Sequence, residues 1–250
     1  MKVILVGCEY VGKSTLAKGI IEWTNRTSGE GRTFHDHFTI PNEELSPEAK
    51  EHLMAAPPQL KEMFQRFMIA HHLSHEFFIG PDQNYVGFHI EEAVYAPLYY
   101  GYGTGDLQGS RSEALRHDSL KEGVSFKERR GKTNMARAVE TEIMRVAPDA
   151  VLVLLKATAE VIGRRMREDP HEHQIVREVD IPHVLARFEE EYEESIIEKK
   201  FVLDTTDTTP EKTLDEFLKK FEPYFTNADR ASNWSKERLE QIDRAWASYL

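Results

Sequence analysis

A glycine-rich segment near the N-terminus has the residue types and spacing of a phosphate-binding loop. Residues 7–15 read Gly-Cys-Glu-Tyr-Val-Gly-Lys-Ser-Thr and fit the pattern G-x-x-x-x-G-K-[ST]. Glycines permit backbone conformations in which successive N–H groups point inward around phosphate oxygens. We expect Lys13 to reach the β- and γ-phosphates and the Ser14 hydroxyl to ligate magnesium. The pattern therefore predicts a site for ATP and Mg²⁺ that is formed by Gly7, Gly12, Lys13, Ser14 and Thr15.

The sequence on either side of this loop fits the same interpretation. Residues 2–7 form an apolar run that predicts a buried strand, and residues 13–24 carry apolar side chains at helical spacing. The N-terminus of such a helix adds a partial positive charge beside the bound phosphates. Cys8, inside the loop, is interpreted as a small filler and not as a reactive thiol.

The remainder of the chain alternates between strand and helix patterns. We predict further strands at residues 32–37, 85–90, 150–155 and 200–203, and helices at residues 59–78, 133–145, 158–167, 184–198 and 208–221. This alternation predicts an α/β three-layer sandwich with a mainly parallel central sheet and helices on both faces, the P-loop NTPase fold. Residues 1–225 would form this domain, with an insertion at 101–131. Residues 226–250 would form an amphipathic helical tail.

The composition of the chain limits where the protein is expected to act and what it is expected to bind. The formal net charge of −11 would repel a nucleic-acid backbone or an anionic membrane, so we expect neither a nucleic-acid polymer nor a membrane as a partner. The single cysteine allows no intrachain disulfide, and no apolar run approaches the roughly 20 residues that cross a bilayer. The first residues lack the pattern of a signal peptide. These features favour a cytoplasmic protein.

Three classes of protein with a phosphate-binding loop compete at this point. A GTPase should carry a guanine-reading N-K-x-D element, and the sequence contains none. An ATP-hydrolysing motor places an acid after an apolar strand, which residues 85–90 followed by Glu91 and Glu92 partly match. A small-molecule kinase needs only the loop, a substrate pocket and an arginine-bearing lid. The sequence favours the kinase.

Three stretches of the chain resemble thymidylate kinases and related nucleoside and nucleotide kinases. They are the loop, residues 147–155 with the arginine-rich 158–167, and residues 202–207 (Val-Leu-Asp-Thr-Thr-Asp) with 209–211. The resemblance implies transfer of the γ-phosphoryl group of Mg-ATP to a nucleoside or nucleoside monophosphate. A kinase of another small molecule, or an ATPase or nucleotide-sensing protein, remains open as an alternative. A homodimer is compatible with the resemblance and with the apolar stripe of the tail.

The resemblance also implies an arginine-bearing lid at about residues 164–180. Several arginines surround the polar, helix-breaking residues 168–173. Arginines on a closing segment can neutralise the charge of a transferring phosphoryl group. We predict Arg164 and Arg167 as the catalytic members, against the alternative of a solvated helix face.

Carboxylates lie at the end of the second predicted strand and directly after the third, where open α/β sheets gather ligands. We predict Asp36 and Glu91 as catalytic residues near the acceptor, with Glu92 in contact with the substrate. The resembled kinases usually carry Asp-Arg or Glu-Arg after the third strand, whereas this chain has two glutamates. Arg66, on the helix at residues 59–78, is predicted to replace the missing arginine at the acceptor, with an arginine of residues 111–137 as the alternative.

Aromatic and amide side chains on two segments suggest a pocket for a base. Rings can stack on a base while an amide reads its edge by hydrogen bonds. We predict Gln65, Tyr95 and Tyr99 as substrate-binding residues. The histidine pairs of the sequence supply too few ligands for a transition-metal site, so none is expected.

Overall fold

The computed structural model describes residues 1–28, 45–73, 83–103, 135–171 and 174–231. Within these residues four strands form one parallel sheet in the order β2-β1-β3-β4. The strands are β1 (Lys2–Val6), β2 (Gln83–Val86), β3 (Val151–Lys156) and β4 (Lys200–Asp204). Every side chain of β3 except the last is buried, because helices cover the sheet on both faces.

The order of the strands changes direction at β1. Ile4 pairs with Tyr85 of β2 on one side and with Leu152 of β3 on the other. The chain therefore runs from β1 to a neighbour on one side and later crosses to the opposite side. Ligands of open α/β sheets bind in the crevice at the carboxyl ends of the strands where such a change occurs.

Helices follow each strand in turn. Thr158 and Thr209 cap two of them, since their hydroxyls accept hydrogen bonds from Val161 N and Lys212 N. A π-helical turn, Ala96–Tyr100, continues the helix after β2. The α-helices are α1 (Lys13–Ser28), α2 (Pro47–Ala55), α3 (Pro58–His72), α4 (Phe88–Tyr95), α5 (Met135–Val146), α6 (Ala159–Glu168), α7 (Ile181–Glu194) and α8 (Pro210–Phe221).

The predicted fold class, an α/β three-layer sandwich with a parallel sheet, is confirmed. Several predicted elements end earlier than expected: β2 stops at Val86, with Phe88 already in α4, while α3 ends at His72 and α7 at Glu194. The predicted strand at 32–37, all but the start of the insertion at 101–131 and the tail after residue 231 lie outside the described residues. None of the helices in the described ranges is long and apolar enough to cross a membrane.

Candidate functional site

The loop between β1 and α1 has the backbone conformation that its glycines predict. Gly7 and Gly12 have φ values of 147° and 94°, in the region that favours glycine. At Gly7 space is also lacking, because a Cβ atom there would lie 2.5 Å from Leu155 O of β3. Tyr10 shares the left-handed region with φ 64°, although it is not a glycine. Left-handed backbone at three positions of one short loop makes it a curved cradle at the end of β1.

Lys13 opens α1 and is folded back over this loop. Its ammonium group donates hydrogen bonds to Gly7 O at 2.7 Å and to Cys8 O at 3.0 Å. The same group lies 2.8 Å from Oε1 of Glu91. A cation therefore lies inside the cradle, where phosphate oxygens would be drawn to it. The structure thus brings together Lys13 and Glu91, two of the predicted catalytic residues.

A strained turn places Glu91. Gly87 directly follows β2 with φ 82°, and its N–H donates to Leu5 O of β1 at 2.7 Å. A Cβ atom at Gly87 would lie 2.2 Å from the Glu91 carboxylate. Phe88, which follows, also has a positive φ of 48°. The chain therefore reverses from strand to helix in one residue, and α4 carries Glu91 back toward the loop.

The loop is held from its other side by residues that follow β3 and β4. The Arg165 guanidinium donates to Tyr10 O at 3.0 Å and to Thr205 O at 2.6 Å. The Thr205 hydroxyl donates to Val11 O at 2.9 Å. These hydrogen bonds engage the carbonyl groups of Tyr10 and Val11 and fix that part of the loop. The N–H groups of the loop are not used in these contacts.

The predicted lid arginines differ in their surroundings. Arg164 is exposed, and Arg167 is an exposed side chain that pairs with Glu178. Arg177 pairs with Asp180, with 2.6 Å between Nε and Oδ2. Among the described arginines of α6 it is Arg165, not Arg164 or Arg167, that reaches the loop in this structure. The roles of Arg164 and Arg167 in the reaction stay predictions.

Glu92 lies on a different side of α4 from Glu91 and is buried, with 4% of its surface exposed. Burial raises the pKa of this carboxyl to about 8, although the Tyr102 hydroxyl nearby opposes the rise. Neither carboxyl oxygen makes a hydrogen bond of ordinary geometry within the described residues. Glu92 is therefore largely protonated at neutral pH, and it can donate a hydrogen bond as well as accept one.

The predicted substrate residues divide into an interior and an exterior set. Gln65 is buried on α3, whereas its neighbour Arg66 is half-exposed and bonded to Glu62. The Tyr95 hydroxyl accepts from Glu9 N at 3.1 Å, and the Tyr99 hydroxyl donates to Asp180 Oδ2 at 3.1 Å. Tyr95 is therefore bonded to the loop and Tyr99 to the segment predicted as the lid. Their predicted contact with a base stays a prediction.

Four further residues of the sequence analysis are Asp36, Ser14, Thr15 and Cys8. Asp36 lies outside the described residues. Ser14 and Thr15 are in the first turn of α1, Ser14 half-buried and Thr15 exposed. Cys8 is fully buried, and burial raises the pKa of its thiol to about 12, so it is no nucleophile at neutral pH.

Sequence reasoning missed four residues that shape this site: Glu9, Tyr10, Arg165 and Thr205. Glu9 and Tyr10 occupy positions that the loop pattern leaves unspecified, so no signal marked them. Arg165 follows Ile162 by three residues and precedes Met166, both buried, so helical spacing could have placed it at the inner edge of α6. Thr205 belongs to the Asp-Thr-Thr segment after β4, where the resemblance already pointed.

Comparisons with known proteins agree with this geometry at the level of the fold. No protein-family model and no curated protein matches the chain. The YorR protein of Bacillus subtilis, solved with phosphorylated GDP, is 17% identical with a TM-score of 0.50, over 91% of this chain and 100% of its own. Deoxyadenosine kinase from M. mycoides with dATP is 14% identical with a TM-score of 0.51, over 89% and 100%.

Thymidylate kinase from Candida albicans is likewise similar, with 12% identity and a TM-score of 0.50 over 88% of this chain and 90% of its own. Identities this low carry the fold and not the substrate. The fold is that of P-loop nucleoside and nucleotide kinases and is similar to that of thymidylate kinase.

Proposed function

We propose that this chain is an ATP-dependent phosphotransferase that moves the γ-phosphoryl group of Mg-ATP to a nucleoside or a nucleoside monophosphate. The observation that carries the proposal is the contact between Lys13, in a glycine-shaped cradle, and Glu91, in the first turn of the helix that follows the neighbouring strand. A cation for the phosphates and a carboxylate for the acceptor then lie side by side at the carboxyl edge of the sheet. In-line transfer between two bound molecules requires such an arrangement.

In this proposal the ion pair between Lys13 and Glu91 opens when ATP binds, and each residue then contacts a ligand. Without phosphates, the Lys13 ammonium group is satisfied by Glu91 and by two loop carbonyls. A triphosphate in the cradle offers the lysine a stronger set of anionic oxygens, which frees the Glu91 carboxylate. With a nucleoside as acceptor, that carboxylate can then accept the proton of the attacking hydroxyl, while the bond from the γ-phosphorus to the bridging oxygen breaks and ADP leaves. Asp36 is the second candidate for this role.

The donor set of the loop fits a magnesium ion that arrives with ATP. No group of three or more histidine, cysteine or acidic side chains in the described part of the chain could hold a metal by itself. Magnesium in kinase sites takes one or two protein oxygens and completes its shell with phosphates and water. Ser14, at the start of α1, supplies a hydroxyl oxygen of this kind. A magnesium ion held there would supply positive charge that offsets the charge of the phosphates.

The experiment is a panel of acceptors. Purified protein with Mg-ATP is mixed with each nucleoside and nucleoside monophosphate in turn, and ADP release is measured beside a sample with no acceptor. We expect one acceptor, or a small set, to raise ADP release at least about tenfold above that sample, with the phosphorylated product seen by mass spectrometry. Rapid ADP release that no acceptor changes would instead identify an ATPase. Tight ATP binding with a flat panel would identify a kinase of another small molecule.

A further inference from the structure

The side chains of Glu9 and Tyr10, both in the phosphate-binding loop, are bonded to a segment more than 160 residues further along the chain. The Glu9 carboxylate accepts hydrogen bonds from Ile175 N at 3.2 Å and from Val176 N at 2.9 Å. The Tyr10 hydroxyl donates to Gln174 Oε1 at 2.9 Å and accepts from His171 N at 2.8 Å. All four partners lie in the region predicted as the lid, on either side of residues 172–173.

A charged Glu9 side chain is unfavourable in this buried position unless the N–H groups of Ile175 and Val176 are present to bond it. The carboxylate is largely buried, and burial raises its pKa, whereas the N–H groups of Val176 and Ile175 hold the pKa down. Two consecutive main-chain N–H groups that converge on one carboxylate form a small anion-binding site. A negative charge in a loop that is built for phosphates opposes phosphate binding by repulsion. A small neutral residue would close the loop without that penalty.

Tyr10 adds a second attachment that uses both its side chain and its backbone. The residue keeps a left-handed φ of 64°, which strains a non-glycine residue. In that conformation its carbonyl accepts from Arg165 and its ring packs edge-on against His171, with ring centroids 4.4 Å apart. Its hydroxyl reaches His171 and Gln174 as described above. The loop is therefore joined to α6 and to the chain that follows α6.

We propose that Glu9 and Tyr10 are positioning residues that hold the arginine-bearing segment in one place relative to the phosphates. This inference rests on the proposed function. The segment from Arg164 to Val176 is attached to the loop through Arg165 near one end and through Val176 at the other. Its exposed arginines, Arg164 and Arg167, would therefore be held in a set position relative to the γ-phosphate. Fixed donors stabilise a transition state better than donors that must first be ordered.

The first arm of the test is structural and uses neither acceptor nor nucleotide. Hydrogen exchange is measured on the amides of His171, Ile175 and Val176 in the wild type, Glu9→Ala, Glu9→Gln and Tyr10→Phe. We expect exchange at Ile175 and Val176 to accelerate at least about tenfold in Glu9→Ala and less in Glu9→Gln, which keeps one acceptor oxygen. Tyr10→Phe should accelerate His171. Glu160→Gln, an exposed acid on α6, is the matched control and should change none of these rates.

The second arm is kinetic and separates positioning from binding. With an acceptor from the panel, Glu9→Ala and Tyr10→Phe should lower kcat at least about tenfold, while the dissociation constant of Mg-ATP changes less than about threefold. Unchanged exchange rates would overturn the attachment itself. Faster exchange with an unchanged kcat would overturn the positioning role, and so would a rise in ATP affinity, because the contact would then obstruct the site. A wild-type protein that transfers no phosphoryl group contradicts the proposed function, and the positioning role with it, while the exchange data still decide whether the attachment exists.

Discussion

The Lys13 ammonium group lies 2.8 Å from Oε1 of Glu91, and only 10% and 5% of the two side chains are exposed. The pair joins the loop after β1 to the helix after β2 at the carboxyl edge of the sheet. Removing one partner of a buried ion pair leaves the other charge uncompensated. Each residue thus keeps the other in position until a ligand with its own charge replaces one of them.

Replacing Lys13 by alanine tests the phosphate site directly. We expect Lys13→Ala to lower phosphoryl transfer on the order of 100-fold or more, because the variant lacks the cation that the phosphates would contact. Lys18→Ala, which removes an exposed lysine of the same helix, is the control and should transfer at the wild-type rate. Rates are measured by ADP release with a saturating acceptor. A Lys13→Ala variant with near-normal turnover would rule out the phosphate-loop assignment.

The conformation of Gly87 lets α4 begin directly after β2, and α4 then brings Glu91 to the loop. Alanine at this residue must adopt φ 82° and would bring its Cβ to 2.2 Å from the Glu91 carboxylate. We expect Gly87→Ala to lower the free energy of unfolding by about 2 kcal/mol or more, as strain and overlap act together. Chemical denaturation measures this change.

Gly19 provides the matched control for this substitution. It lies inside α1, and a Cβ atom there would be in ordinary contact with Leu214 at 3.5 Å. Gly19→Ala should therefore stabilise the protein, by about 0.5–1 kcal/mol, through helix propensity. Equal effects of the two substitutions would show that the turn at Gly87 is not strained in solution.

The same turn explains why the sequence predicted the fold but not all of the site. Apolar runs and helical spacing located the four described strands and six of the eight α-helices in the described ranges, but not α2 or α4. Between Tyr85 and Ile90, however, every side chain is apolar, glycine or buried histidine, and periodicity cannot separate a short buried strand from a buried helix. Only the backbone at Gly87 and Phe88 shows where one ends and the other begins.

The sequence did not single out Arg165 among the arginines of α6 for a related reason. Arg164 and Arg165 are adjacent, and composition favours neither of them. They differ in their contacts, because only Arg165 of these two donates to Tyr10 O and Thr205 O. Tyr10 and Thr205 lie 155 and 40 positions away from it in the sequence. Contacts of such separation depend on how the strands are ordered. The order of the strands was not deduced from the sequence.

Arg165 and Arg164 should consequently respond differently to substitution. Arg165→Ala removes donors to two carbonyl groups that shape the loop, so we expect ATP affinity to fall at least about tenfold. Arg164→Ala leaves the loop intact and should lower kcat while ATP affinity stays within about threefold. Isothermal titration with a non-hydrolysable ATP analogue gives the affinities, and the acceptor assay gives kcat. If both variants bound the analogue as the wild type does, the guanidinium of Arg165 would have no part in forming the site.

Glu92 should give the protein a pH-dependent stability. Its pKa is about 8 in the folded chain, against 4.5 for an ordinary glutamate carboxyl, so the folded state keeps a proton that the unfolded state releases between these values. The free energy of unfolding therefore falls as pH rises from 4.5 to 8, by about 1.4 kcal/mol per unit for one group. Glu92→Gln does not titrate, so it should gain at least about 2 kcal/mol relative to wild type between pH 5 and pH 8.

Urea denaturation at several pH values measures this difference. Glu160→Gln, at an exposed position of α6, should follow the wild-type curve throughout. Parallel curves for wild type and Glu92→Gln would mean that Glu92 is already ionised in the folded protein. A larger gain at pH 5 than at pH 8 would contradict the direction of the pKa shift.

The last prediction concerns one face of α3 and the homodimer that the sequence is compatible with. Leu60, Met63 and Phe67 follow one another at helical spacing, and each is at least half-exposed. An apolar stripe of this kind on an exposed helix is a common site of protein association. In that homodimer, we expect this face to meet the second copy of the chain.

We therefore expect light scattering to give the mass of a dimer for the wild type and of a monomer for Phe67→Asp combined with Met63→Lys. Ile196→Asp places a charge at another exposed apolar residue, between α7 and β4, and should remain dimeric. Because the substituted side chains are exposed, the monomer should keep its thermal stability apart from the loss of association. A wild-type protein that is monomeric at micromolar concentration would contradict the interface, as would a double variant that stays dimeric.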